Sequence, residues 1–209
     1  MRMRRKTNLD SRIETCKHLL VAKPEEYYSR WLEEFSFDKI YVELGCGKGL
    51  FTALSAKNEP GILIIGLEKI TNVLILALER TKQEGLQNLL FINKNADEAE
   101  SFFADGEVSR IYINFCDPWP ANRHAKRRLT GEQFLEIYKK ILHPGGEIYL
   151  KTDNLPLFEF SLNEFEKCGF SLSEISYNLH EHKPVGIMTD YEKKFYNQNI
   201  SINRCVATI

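Results

Sequence analysis

The sequence predicts one α/β domain, a largely parallel sheet with helices on both faces. Three observations carry that expectation. Short apolar runs rich in β-branched and aromatic residues alternate with helical patterns between Lys39 and Cys168. The first of these runs ends in a glycine turn, Gly45-Cys46-Gly47-Lys48-Gly49, that leads straight into a helical stretch. Two more β-type runs, Phe170 to Tyr177 and Asn199 to Ala207, close the chain. A length of 209 residues supports one well-buried core and is too short for two large domains, so residues 1–209 read as a single domain with a basic N-terminal extension of about 35 residues.

Taken in order, Asp10 to Leu20 predicts a weak helix. Pro24 sits where a first helical residue would, followed by Glu25 and Glu26 and by Tyr27, Tyr28, Trp31, Leu32 and Phe35 at helical spacing, a stripe read as packing. Lys39 to Leu44 is the first strand, and the glycine turn and a helix from Leu50 complete the opening of a Rossmann-like unit. A dinucleotide fingerprint would want its third glycine at position 50; here the glycines fall at 45, 47 and 49, with Glu43 two residues before the first. The second strand, Ile62 to Leu67, ends in Glu68, about twenty residues past the glycine turn, where a carboxylate accepts hydrogen bonds from a ribose diol. A helix from Ile70 to Glu84 stops at Gly85; Asn88 to Asn93 is a third strand, with Asn95-Ala96-Asp97 in the loop beyond it.

The fourth strand, Arg110 to Phe115, runs into Asp117-Pro118-Trp119-Pro120, where two prolines push Asp117 and Trp119 towards extended backbone and stiffen the loop. Arg123, His124, Lys126, Arg127 and Arg128 follow, a concentrated phosphate-seeking surface in a chain of net charge -1. Thr130 and Gln133 have the spacing of a capping box for the next helix. His143-Pro144-Gly145-Gly146 turns into a fifth strand, Glu147 to Thr152, with Asp153 just past its end as either a substrate carboxylate or a helix cap. In a doubly wound sheet ordered 3-2-1-4-5, the glycine turn and the Asp117 loop face one crevice at the point where the order reverses. After the helix Leu155 to Cys168, a loop between the closing strands carries His180-Glu181-His182 and Thr189-Asp190-Tyr191-Glu192; two histidines without a third ligand nearby read as plain loop, and no metal is expected.

Composition narrows the classes further. Hydrophobic content of 43% and charged content of 27% are those of a folded, non-repetitive protein. The cations cluster, with Arg2, Arg4, Arg5 and Lys6 at the start and the 123 to 128 run later, while the acids are scattered, so a nucleic-acid partner is expected. Five separated cysteines with no Cys-x-x-Cys pair read as reduced thiols. The longest apolar runs, such as Val73 to Leu78, are far below membrane-spanning length, and the basic start is not followed by a signal-peptide apolar region; a cytoplasmic protein with no membrane partner is the expectation.

The glycine turn with Glu43 resembles motif I of the class I S-adenosylmethionine-dependent methyltransferases. Asp117-Pro118-Trp119-Pro120 with Arg123-His124-Ala125-Lys126-Arg127-Arg128-Leu129-Thr130, Lys151-Thr152-Asp153 and Thr189-Asp190-Tyr191-Glu192, in that order, resemble the bacterial tRNA (guanine-N7)-methyltransferases over nearly the whole chain. The resemblance implies the class I methyltransferase sheet with its terminal hairpin, and transfer of a methyl group from S-adenosylmethionine to N7 of guanosine at position 46 of the tRNA variable loop. It implies donor contacts at Glu43, Gly45, Gly47, Glu68, Asn95 and Asp117, with Asp117 as the active-site acid. It also implies tRNA contacts at Arg123, His124, Lys126, Arg127, Arg128, Asp153, Thr189, Asp190, Tyr191 and Glu192. Where the family commonly has lysine after the second proline, this chain has Ala121 and Asn122, so that contact is absent or supplied by another cation. The rival expectations are methylation of an exocyclic amine, since the corner also resembles the Asp-Pro-Pro-aromatic motif, and a non-catalytic RNA-binding module on the same fold. Either a monomer or a homodimer is compatible with the sequence.

Overall fold

The computed structural model describes residues 7–209, so the Arg2 to Lys6 cluster lies outside the described residues. The strands are β1 (Leu20–Val21), β2 (Ile40–Leu44), β3 (Leu63–Leu67), β4 (Leu89–Ile92), β5 (Val108–Asn114), β6 (Leu142–Thr152), β7 (Ser171–Ser176) and β8 (Asn203–Thr208). They form one sheet ordered β1-β4-β3-β2-β5-β6-β8-β7. The α-helices are α1 (Leu9–Glu14), α2 (Trp31–Phe35), α3 (Leu50–Asn58), α4 (Thr71–Thr81), α5 (Glu132–Ile141), α6 (Leu155–Lys167) and α7 (Asp190–Asn197).

The run β4-β3-β2-β5-β6 is parallel throughout and is the expected 3-2-1-4-5 order. The closing strands pair antiparallel, β8 lying between β6 and β7. Side-chain alternation sorts the strands between two cores: Ile40, Val42, Leu44, Leu63, Ile65 and Leu67 face the layer of α5 and α6. Tyr41, Ile64, Leu89 and Phe91 face α3 and α4. Helices therefore cover both faces.

Several local expectations change. The N-terminal segment supplies an unforeseen edge strand, β1, parallel to β4 with Leu20 opposite Phe91. The Asp10 to Leu20 helix is cut to α1 and a short 3-10 turn, Lys17–Leu19. The stretch from Pro24 breaks at Ser29, whose φ of 60° no helix accommodates, into a 3-10 turn and α2. Its stripe packs except for Tyr28, which is exposed: Tyr27, Leu32 and Phe35 lie against the core, Trp31 is fully buried, and its indole Nε1 donates to the Phe102 carbonyl at 2.7 Å. The Asn95 loop winds into a 3-10 turn, Ala96–Ser101. His143 to Gly146 is absorbed into β6 as an irregularity, because the register steps from Val108 opposite Leu142 to Arg110 opposite Glu147.

The capping box at Thr130 does not form. Helix α5 begins after Gly131, Thr130 is buried with its hydroxyl against the Ser161 hydroxyl at 2.7 Å, and Gln133 donates to the Lys126 carbonyl instead. Nor does Asp153 cap α6; Asn154 does, its side chain accepting from the Leu157 N–H at 2.9 Å. Thr189-Asp190-Tyr191-Glu192 is the capped start of α7 rather than loop. No helix among the described residues is long and apolar enough to cross a membrane.

Candidate functional site

A crevice opens at the C-terminal ends of β2, β3, β4 and β5, where the sheet order reverses. The glycine turn forms its floor. Gly45, Gly47 and Gly49 have φ of 70°, 58° and 71°, values that favour glycine. At Gly49 a Cβ would also stand 2.7 Å from the Ala77 Cβ of α4, so the third glycine is fixed by close packing of turn on helix. One cavity of about 340 Å3 is lined by Gly45, Gly47, Glu68, Asn95 and Asp117, five of the six residues singled out for donor binding. The sixth, Glu43, lines an adjoining cavity of about 410 Å3 between the glycine turn and α7. Gly45, Gly47, Phe115 and Tyr191 border both.

Glu68 is nearly buried and already shapes the turn: it accepts from the Gly47 N–H at 3.2 Å and the Ile70 N–H at 2.8 Å. Burial pushes its carboxyl above the ordinary range; the two amides oppose that shift and nearby Asp117 adds to it. Two of its roughly four lone-pair sites remain for a ligand.

Glu43 lies deeper, accepting from the Thr52 hydroxyl at 2.5 Å and the Asn114 amide at 3.1 Å. Burial raises its carboxyl to about 7, against the pull of Thr52, Asn114 and Lys151. An acid raised above its unfolded value stabilises the fold fully below the unfolded pKa, and that contribution is lost as pH rises through about 7. Replacing Glu43 with Gln should therefore remove a decline in unfolding free energy of roughly 3 kcal/mol between pH 4.5 and 8 in the ligand-free protein. Urea unfolding at both pH values reads the difference; an equal decline in the variant would contradict the assignment.

The corner at Asp117 and the basic run are one unit. Phe115 and Trp119 have φ of 53° and 43°, so the expectation of extended backbone at Trp119 fails: it is left-handed, at a cost on the order of 1–3 kcal/mol. Arg128 holds that geometry by donating to the Pro118 and Trp119 carbonyls at 3.1 Å while its guanidinium covers the Phe160 ring. Arg127 lies over the Trp119 indole at 4.9 Å, and His124 meets the same ring edge-on. Asp117 itself is exposed to the crevice. Arg123 and Lys126 are exposed and make no ion pair among the described residues.

The remaining candidates divide. Thr189, Asp190 and Tyr191 wall the larger cavity, Tyr191 being 64% exposed. Glu192 turns inward, fully buried, towards Lys151 and His180. Asp153 is exposed at the end of β6 and lines neither cavity. No group of three or more metal-ligating side chains exists among the described residues. Residues that the sequence did not single out include Asn114, whose carbonyl oxygen is buried without a hydrogen-bond partner on the wall of the larger cavity. Its place in an apolar strand hid it.

These groups fit a donor carrying a ribose diol, an ammonium and a sulfonium. Glu68 has acceptor capacity left, Asn114 keeps a buried unused acceptor beside Glu43, and four carboxylates, Glu43, Glu68, Asp117 and Asp190, border the joined cavities. Apart from Gly45 and its two chain neighbours, no protein heavy atom lies within 4 Å of where a Cβ of Gly45 would stand.

Comparison with known proteins agrees. Residues 38–205 match a family described as "Putative methyltransferase". The chain is 43% identical over 209 residues to a tRNA (guanine-N(7)-)-methyltransferase of Geobacillus kaustophilus (strain HTA426), covering 99% of this chain and 96% of that protein. Among solved structures, the aminoglycoside resistance methyltransferase NpmB1 superposes with a TM-score of 0.62 at 18% identity, over 86% of this chain and 92% of that one. A 16S rRNA (adenine(1408)-N(1))-methyltransferase from Catenulisporales acidiphilia, solved with its cosubstrate SAM, gives 0.56 at 10% identity over 98% and 92%. At these identities the structural likeness shows the class I methyltransferase fold alone.

Proposed function

The chain belongs to the tRNA (guanine-N7)-methyltransferase family, and from that premise we propose that it transfers a methyl group from S-adenosylmethionine to N7 of a guanosine in tRNA, at position 46 of the variable loop. The observation that carries the reading is one crevice in which the glycine turn, Glu68, Asn95 and Asp117 converge, with the basic run at its rim.

Bound S-adenosylmethionine supplies a methyl group on a sulfonium, electrophilic without help, and guanine N7 offers an in-plane lone pair and loses no proton. The chain's tasks are therefore position and charge. Glu68 holds the ribose hydroxyls, Asn95 borders the adenine, and Glu43 with Asn114 faces the ammonium. Asp117 stabilises the positive charge that appears on the purine, and Trp119 and Tyr191 provide faces against which a displaced base stacks. Arg127, which lines the crevice, supplies the cation missing at Ala121. This reading places the enzyme with tRNA in the cytoplasm; its thiols, all unpaired among the described residues, accord with a reducing compartment.

RNA affinity should fall steeply with salt. Changing Arg123 and Lys126 together to Gln should flatten the log-log slope by about 1–2 units while donor affinity holds. Arg128 is a different case: pinned to the corner, it should affect turnover more than the slope. Filter binding of tRNA across a salt series decides, and an unchanged slope for the Arg123/Lys126 pair would return the run to a solvated face.

A further inference from the structure

Helix α7 walls the larger cavity, yet its one fully buried residue among those described is a carboxylate, Glu192. No apolar face seats this helix; Phe195, against Phe115 at 5.9 Å between ring centres, is only half-buried. Outside the part-exposed Arg80–Asp190 ion pair at 3.0 Å, what holds it is a buried polar cluster. Lys151 Nζ, from the end of β6, donates to the two Glu192 oxygens at 2.9 and 3.2 Å and to the Ile187 carbonyl at 3.0 Å. His180 Nδ1 accepts from the Val185 N–H at 3.1 Å, which leaves Nε2–H to donate to Glu192 Oε1 at 2.8 Å. The Thr189 N–H completes the set at 3.1 Å on Oε2.

A segment with little apolar burial opens locally at low cost, and a buried ion pair with satisfied hydrogen bonds selects one arrangement more than it adds stability. The cluster adjoins the cavity through the sheet: Lys151 pairs in register with Asn114, which lines the cavity and whose carbonyl oxygen is buried without a partner. Thr189, Asp190, Tyr191 and Lys194 line the cavity beside the glycine turn, and Glu192 is the buried tie of the segment that carries them.

We propose that Lys151 and His180 are positioning residues for methyl transfer, acting through Glu192 to fix α7 as the acceptor-side wall of the crevice. The proposal rests on the reading of function above, and it makes Glu192 an anchor rather than a contact to RNA.

The test combines kinetics with hydrogen exchange on Lys151→Met, His180→Leu and His180→Gln, the last retaining an N–H donor. Lys151→Met and His180→Leu should lower kcat/KM for tRNA by about 10- to 100-fold while the Kd for S-adenosylmethionine moves less than about two-fold. Exchange should quicken across residues 187–197 and stay unchanged in the sheet, and His180→Gln should recover most of the lost rate. Should Lys151→Met fail to fold, Lys151→Arg carries the comparison, since it keeps the charge but not the compact ammonium geometry. Unchanged kcat/KM despite faster exchange in α7 would overturn the proposal. So would donor affinity and sheet protection falling in parallel with rate, which marks a merely structural role. The exchange readout needs no RNA, so a wild-type protein inert towards tRNA would instead sink the functional reading.

Discussion

Transfer RNA carrying 7-deazaguanosine at the acceptor position should bind with affinity within about two-fold of normal and receive no methyl group. The substitution replaces the proposed attacking nitrogen by a C–H and leaves the Watson–Crick edge intact, so the contacts proposed for Tyr191, Trp119 and the basic run would be preserved. An exocyclic amine, by contrast, has its lone pair delocalised into the ring and must lose a proton. The rival chemistry would therefore continue on 7-deazaguanosine, and continued methylation would eliminate N7 as the acceptor.

Asp117→Asn and Glu68→Ala should fail in different ways. Removing the Asp117 charge leaves a side chain of the same size in the crevice but would withdraw its proposed stabilisation of a cationic purine, so kcat should fall by roughly 100-fold, about 2.7 kcal/mol, with donor affinity falling much less. In the proposed function Glu68 holds the ribose and not the reacting atoms; its loss would remove that acceptor and two bonds that shape the turn, those from Gly47 and Ile70, so donor affinity should weaken by about 1–3 kcal/mol. Calorimetry and single-turnover rates separate the two; equal losses of binding and rate in both variants would contradict the assigned roles.

What the sequence made legible was local. The glycine turn, the acid at the end of the next strand and the Asp117 corner are contiguous signals that can be located without knowledge of distant partners, and alternation within the strands sorted the core. What stayed hidden depends on partners far apart in the chain. Lys151 and Glu192 are separated by 41 positions and Thr130 and Ser161 by 31. Thr130 has the spacing of a cap, but a buried hydroxyl partner outcompetes the helix end for it. Trp119 departs from its proline-imposed preference because Arg128 bonds the carbonyls on either side of the strained residue. His180, read from the sequence as plain loop, is buried and hydrogen-bonded to Glu192 twelve positions on.

The most direct test is mass spectrometry of nucleosides from unmodified tRNA incubated with the protein and S-adenosylmethionine. The account predicts 7-methylguanosine as the new nucleoside, located in the variable loop and absent when the donor is omitted. A methylated exocyclic amine, such as N2-methylguanosine or N6-methyladenosine, or no new nucleoside in the presence of folded, donor-binding protein, would contradict it.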